Sequence, residues 1–190
     1  MRIIAGKYRG RKIKSPPSLQ VRPTSDRLRE TLFNVIAPII VDARFLDLCS
    51  GSGAVGIEAL SRGAAHVTFV DQSRKMCSLI KANLDLILLP EEQTTIVPAE
   101  AGEFLRTSTI ERVEPWDVVF FDPPYDSNYQ RVLEIIGNNV GSLLTADASV
   151  IAEHHHKTEL LSSLGALHRY RILKQGDSAL SFYQRITERP

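Results

Sequence analysis

Asp122-Pro123-Pro124-Tyr125 brings a carboxylate, a main-chain carbonyl and an aromatic ring into one short stretch. It follows Val118-Val119-Phe120-Phe121, a β-branched and aromatic run that reads as a buried strand. Proline has no N–H for a sheet ladder and fixes its own φ, so the two prolines stop that strand. The polar groups therefore sit at the carboxyl end of a strand, where open α/β sheets bind ligands. An amine on an aromatic ring is a poor nucleophile, because its lone pair is delocalised. The Asp122 carboxylate and the Pro123 carbonyl can each accept one of its two hydrogens, favouring a pyramidal nitrogen and stabilising the positive charge that grows there. The Tyr125 ring can stack on a flat base. No strong base is required, since the amine becomes acidic once alkylated, and orientation supplies much of the rate.

A second constellation lies upstream. Phe45-Leu46-Asp47-Leu48-Cys49 reads as the first core strand, and Gly51-Ser52-Gly53-Ala54-Val55-Gly56 fits G-x-G-x-x-G at the turn into a helix. Asp71 closes the next strand at the spacing expected for a residue that grips a ribose diol. Taken alone this is a dinucleotide fingerprint. Two further acids point elsewhere: Asp47 lies inside the end of the first strand, where a cation is welcome, and Glu100 follows the third strand, within reach of an adenine amino group. S-adenosylmethionine carries a sulfonium, an amino group, a diol and an adenine but no pyrophosphate, so acids ending successive strands suit it better than NAD. If the strand order reverses between the first and fourth strands, the Gly loop and Asp122 become neighbours.

The elements that must position these groups alternate along the chain. Strands are expected at His66–Val70, Thr94–Val97, Trp116–Phe121, Ala148–Ala152, Leu167–Leu173 and Leu180–Arg185, and helices at Ala54–Arg62, from Ser73 through Leu88, through Phe104-Leu105 and over 128–140. A helix from Asp26 to about Pro38 precedes them, a short one is expected near 157–164, and Gly176-Asp177 suits a hairpin turn. Such alternation implies a mostly parallel sheet, with one antiparallel member where the last two strands lack an intervening helix. Trp116 is read as core. Adjacent histidines on a strand point in different directions, so His154-His155-His156 is read as a polar strand end, and no metal is expected.

At 190 residues the chain suggests one domain with a small appendage. Its net charge of +1 hides an asymmetry: residues 1–30 hold nine basic and two acidic groups, the remainder 14 and 20. A basic arm on a mildly acidic body suggests a polyanionic partner. The division expected is an RNA-binding extension over 1–40, with Arg2, Lys7, Arg9, Arg11, Lys12, Arg22 and Arg27 as contacts, and a catalytic domain over 41–190. The arm itself suits a small hairpin turning near Tyr8-Arg9-Gly10. Cys49 and Cys77 form no CxxC pattern and are read as buried reduced thiols. The N-terminus lacks a signal-peptide stretch, no apolar run is long enough to span a bilayer, and a cytoplasmic protein is expected.

The whole pattern resembles a family. Arg2-Ile3-Ile4-Ala5-Gly6-Lys7-Tyr8-Arg9-Gly10-Arg11-Lys12, Arg22-Pro23-Thr24 and Arg29-Glu30-Thr31-Leu32-Phe33-Asn34 are similar to the two opening blocks of the bacterial 16S rRNA guanine-N2 methyltransferases that modify guanine 966. Asp47 to Gly53 and Asp122 to Tyr125 are similar to that family's donor loop and amine motif. Glu100, where aspartate is more usual, and Cys49-Ser50 depart from it. The resemblance implies a Rossmann-like class I methyltransferase fold with a seven-stranded sheet. It implies S-adenosylmethionine held by Asp47, Cys49, Gly51, Ser52, Gly53, Asp71, Gln72, Glu100, Ala101 and Asp122, with Asp122, Pro123, Pro124 and Tyr125 at the acceptor. The implied partner is 16S rRNA in the 30S subunit or its assembly intermediate, approached by a monomer. An adenine-N6 methyltransferase on nucleic acid and a non-catalytic RNA-binding assembly factor are the alternatives.

Overall fold

Short apolar runs, each followed by a stretch with helical periodicity, assemble into one twisted sheet with helices on both faces. The structure is a computed structural model that describes residues 1–16, 25–124 and 127–186. The strands are β1 (Arg44–Leu48), β2 (His66–Val70), β3 (Thr94–Val97), β4 (Trp116–Phe121), β5 (Leu144–His155), β6 (Ser163–Leu164), β7 (Leu167–Gln175) and β8 (Ser178–Arg185). Their order across the sheet is β3-β2-β1-β4-β5-β8-β7-β6. The first five are parallel, and β8 inserts antiparallel between β5 and β7. Seven strands thus carry the expected pattern with one reversed member, and two-residue β6 adds an antiparallel edge.

The helices are α1 (Asp26–Ile36), α2 (Ala54–Ser61), α3 (Arg74–Leu86), α4 (Ala101–Glu111), α5 (Tyr129–Asn138) and α6 (Val140–Leu143). Side chains of α1, α2 and α3 share one hydrophobic cluster with one sheet face, and those of α4, α5 and α6 share another with the opposite face. Serine oxygens start two of these helices: Ser25 Oγ accepts from Leu28 N and Ser73 Oγ from Met76 N. Trp116 is buried and packs against Phe104, as a core residue should. No described helix is long and apolar enough to cross a membrane.

Two expectations need correction. No helix forms over 157–164, because the main chain there is committed elsewhere. β5 runs on to His155, a turn follows, and Leu164 and Gly165 press against Gly137 of α5, where a Cβ would lie 1.9 Å from the Leu164 carbonyl oxygen. Only a glycine pair permits that approach. Cys49 and Cys77 are free thiols as read, but each is partly exposed, because Cys49 follows β1 at the sheet's carboxyl edge and Cys77 lies in the first turn of α3.

The arm is a docked hairpin. Ile3 N donates to the Arg11 carbonyl, Gly10 N to the Ile3 carbonyl and Ile13 N to the Met1 carbonyl. Ile3, Tyr8 and Ile13 enter the cluster shared by α1, α2 and α3. This explains α2, all eight of whose residues are buried: a helix apolar on every side must be covered on every side. Its one carboxylate, Glu58, ties the layers together. It accepts from Ile4 N and Ala5 N at 2.8 and 3.0 Å, pairs with Arg62 at 2.8 Å, and lies 3.9 Å from the guanidinium of fully buried Arg29. Arg29 also holds Asp26 at 2.9 Å and donates to the Arg2 carbonyl. Replacing Glu58 by glutamine leaves a buried cation short of its counter-charge, so Glu58→Gln should cost about 3 kcal/mol in urea unfolding. A loss below about 1 kcal/mol would show that the carboxylate is not what fixes the arm.

Candidate active site

Register sets the site. Leu48 of β1 lies opposite Val70 of β2 on one side and Phe121 of β4 on the other. The next residues, Cys49, Asp71 and Asp122, therefore leave three adjacent strands at one level, about 4.8 Å apart from strand to strand. Val70 lies opposite Val97, which brings the β3 end and then Glu100 to the same edge. The Cys49 thiol reports the convergence. Burial, and then the charges of Asp71, Asp122, Asp47 and Glu100, push its pKa far above the usual thiol range. A thiolate there is suppressed, which argues against a nucleophilic role.

The Gly loop is held from three directions. Ser50 Oγ donates to the Asp47 carbonyl at 2.6 Å and accepts from Val70 N at 3.0 Å, pinning the loop to β2. Asn83 of α3 donates to the Ser52 carbonyl at 2.9 Å. Asp71 takes Gly51 N at 2.9 Å on one oxygen and Ser73 N at 2.8 Å on the other. Cys49, Gly51 and Gly53 all have positive φ, and Gly56 packs so tightly on Phe69 that a Cβ would lie 2.3 Å from the ring. Glycine at 51, 53 and 56 lets the loop fold sharply against the sheet. Gln72 is exposed at the bend after β2, and Ala101 is buried in the first turn of α4.

Asp47 and Glu100 are shifted in opposite directions. Asp47 is only 2% exposed and accepts from Gly56 N at 3.0 Å, so it anchors the start of α2. Burial pushes its pKa up to about 7, against the pull of the Gly56 amide and with help from Asp71. Glu100 caps α4, accepting from Glu103 N at 2.9 Å. Its partial burial raises its pKa, but the Gly102 and Glu103 amides with Arg106 and Arg131 outweigh that, so the net direction is down.

On the acceptor side, Asp122 is half-buried and donates its N–H to the Leu48 carbonyl at 3.3 Å, extending the β4–β1 pairing by one residue. Pro123 is buried, Pro124 is exposed, and Tyr125 lies outside the described residues. Tyr129, not singled out in the sequence, donates from its hydroxyl to the Pro123 carbonyl at 3.4 Å, and its ring meets Phe121 edge-on. A carbonyl oxygen has two lone pairs, so one remains for another donor. The only sequence signal for Tyr129 was its place on the apolar stripe of α5, which reads as packing.

Comparisons with known proteins agree with this geometry. The family described as Conserved hypothetical protein 95 matches residues 1–184. Ribosomal RNA small subunit methyltransferase D of Escherichia coli K12 is 37% identical over 188 residues, covering 97% of this chain and 90% of that protein. The chain belongs to this family. The solved structure of yhhF from Escherichia coli superposes with a TM-score of 0.84 at 34% identity, covering 97% of both chains. SMU.776, solved in complex with SAH, shares the fold at a TM-score of 0.69 and 14% identity, over 86% of this chain and 50% of its own. The architecture is the Rossmann-like one of S-adenosylmethionine-dependent methyltransferases.

Within this family member the arm spans α2 lengthwise. Lys7 N and Tyr8 N bond to Ser61 at the end of α2 remote from the Gly loop, and Lys14 pairs through its main chain with Asn83, which also holds Ser52. Arg2, Lys7, Arg9, Arg11, Lys12 and Arg27 are exposed, and Arg22 lies outside the described residues. Arg11 is partly engaged, lying over the Tyr8 ring and donating to the Ile87 carbonyl at 2.7 Å.

The Asp47 proton is directly observable. A side-chain carboxyl carbon-13 resonance should titrate near pH 7 and vanish in Asp47→Asn, and ordinary carboxylate titrations alone would refute the burial argument. Because its folded pKa lies above the unfolded value, the native state binds this proton more tightly. This group's contribution to stability therefore falls as pH rises from about 4 to about 7.

Proposed function

We propose that this chain transfers a methyl group from S-adenosylmethionine to the exocyclic N2 amine of guanine 966 in 16S rRNA of the small ribosomal subunit. The observation that carries this reading is the placement of Asp122 level with Cys49 and Asp71, with Pro123 next in the chain. The RNA assignment is supported by relatives named small subunit rRNA methyltransferase D.

The residues present suit the donor. Carboxylates at the ends of β1, β2 and β4, with Glu100 beyond β3, match a cation, a diol and an adenine amine, and the positive-φ loop admits a ligand close to the main chain. Asp47, Cys49, Gly51, Ser52 and Gly53 would line one side, and Asp71, Gln72, Glu100 and Ala101 the adenosine side. When bound, S-adenosylmethionine supplies an electrophilic methyl group on a sulfonium. Asp122 and the Pro123 carbonyl accept the two amine hydrogens, aim the nitrogen lone pair and stabilise its developing charge. Tyr125 stacks on the base and Pro124 holds the turn. Once the N–C bond has formed, the nitrogen is acidic and releases its proton to water. The exposed guanidinium and ammonium groups of the 1–40 segment hold RNA phosphates, and an unpaired loop lets a small enzyme reach one base.

Small subunits from cells lacking the endogenous family member, incubated with labelled S-adenosylmethionine and digested to nucleosides, should yield N2-methylguanosine. Asp122→Ala should lower the rate by about a hundredfold or more without altering thermal unfolding. N6-methyladenosine instead would keep the site chemistry and move the substrate to adenine. Donor binding without any methylated nucleoside would favour the assembly-factor reading.

The arm is tested separately. Arg9→Glu with Lys12→Glu should weaken RNA binding and reduce the slope of log affinity against log salt by about 0.7 per lost contact, while leaving donor affinity intact. An unchanged slope would remove the arm from the RNA interface.

A further inference from the structure

The histidine run read as a polar strand end is organised differently in the structure. His154 turns inward, its Nδ1 on the His155 carbonyl and its Nε2 on Ser181 Oγ, each at 2.9 Å, and burial holds its pKa below the usual value. His155 is the last residue of β5, so the strand alternation that separates neighbours ends there. The His156 ring lies beside that of His155, with centroids 4.5 Å apart. Asp177, 21 residues further on, arrives through the turn between β7 and β8. Two backbone contacts fix its approach: His155 lies opposite Ser178, and His156 N donates to the Asp177 carbonyl at 2.8 Å. One ligand atom from each of His155, His156 and Asp177 then lies within 4.8 Å of the others.

From this we infer that His155, His156 and Asp177 bind one divalent transition-metal ion of the zinc class, clamping the carboxyl end of β5 to the β7–β8 turn. The protonation pattern suits the role. His156 Nδ1 lies 3.2 Å from the Asp177 carbonyl, which can only accept, so in the neutral ring the tautomer with Nδ1–H is favoured and Nε2 is the nitrogen that offers a lone pair. A backbone carbonyl orienting the second ring nitrogen is the usual support of a metal-bound histidine. His155 Nδ1 accepts from Lys157 N at 3.2 Å, a long bond that an ion displaces, so this ring too offers a lone pair. Two neutral imidazoles and one carboxylate select zinc, cobalt or nickel over magnesium or calcium. The histidines are half-buried and Asp177 is exposed, which leaves the outer coordination positions to water. Ala152 of β5 lies opposite Phe121, so the clamp stands on the same sheet edge as Asp122, one strand away. No step of the proposed methyl transfer uses it.

The test uses the full chain without an affinity tag, stripped with a chelator, and titrated with Co²⁺ followed by Zn²⁺ displacement. One equivalent of Co²⁺ should bind with visible absorption bands and be displaced by one equivalent of Zn²⁺. His156→Gln and Asp177→Asn should each weaken binding by about tenfold or more. Metal-free thermal unfolding is measured for each variant, and lost binding by a variant that unfolds as the parent does counts for the clamp. His168→Gln, at an exposed histidine elsewhere, should bind as the parent does. Absence of saturable one-equivalent binding, or equal binding in all the variants, overturns the inference. Donor binding by the stripped protein is read separately, so a failed clamp leaves the proposed function standing.

Discussion

The site depends on β1 being paired in parallel on both sides, with Leu48 level with Val70 and with Phe121. The two pairings are made by segments far apart in sequence, yet together they fix the spacing of Cys49, Asp71 and Asp122. A slip of one residue in either pairing would exchange the two faces of β2 or β4, so that side chains packed against one helix layer would meet the other. Both faces of these strands are covered, so neither slip is available. Hydrophobic burial of residues such as Phe69, Phe120 and Val119 is what holds the polar edge in register. Chemistry at the edge is thus specified by packing in the middle.

The same division of labour explains the arm. Three apolar side chains bury its inner surface, and Glu58, Ser61 and Asn83 satisfy its main chain, so its charged side chains need contribute nothing to docking and remain on the outside. Three are nonetheless engaged: Arg11 lies over the Tyr8 ring and donates to the Ile87 carbonyl, Lys7 lies over the same ring, and Arg2 lies 3.6 Å from Asp26. Arg29, a further basic residue of the N-terminal blocks, does structural duty, buried between Asp26 and Glu58. A count of positive charges in the first thirty residues therefore overstates the charge available to a polyanion.

Much of this was legible in the sequence because it is local. Strand and helix positions follow from apolar periodicity and cap residues, and the Gly loop and Asp122-Pro123-Pro124-Tyr125 are short motifs whose place at strand ends follows from the prolines and glycines themselves. What escaped is non-local. Glu58 reads as one acid in an apolar helix until the hairpin that covers it is known. Tyr129 reads as core until its hydroxyl is seen on the Pro123 carbonyl. The helix expected near 157–164 fails because Gly137 and Gly165, far apart in the chain, must touch. The histidine run was judged by strand alternation, which is right for His154 and wrong one residue past the end of β5, where Asp177 comes in from a distant turn.

Charge is segregated along the molecule, and that has a physical consequence. Four acidic side chains converge on the carboxyl edge of the sheet, where burial raises the pKa of Asp47 to about 7. The basic hairpin runs along α2 and carries the opposite sign. An acidic edge repels phosphates and a basic arm repels cations, so on the proposed reading each ligand is steered from the other's site. On the proposed reading the two ligands meet at Asp122. Donor charge arriving there offsets the carboxylates and favours loss of the Asp47 proton, and because these two changes oppose one another the edge stays acidic with the donor bound. On the proposed reading RNA is therefore held by the arm and not by that edge, whether or not the donor is bound.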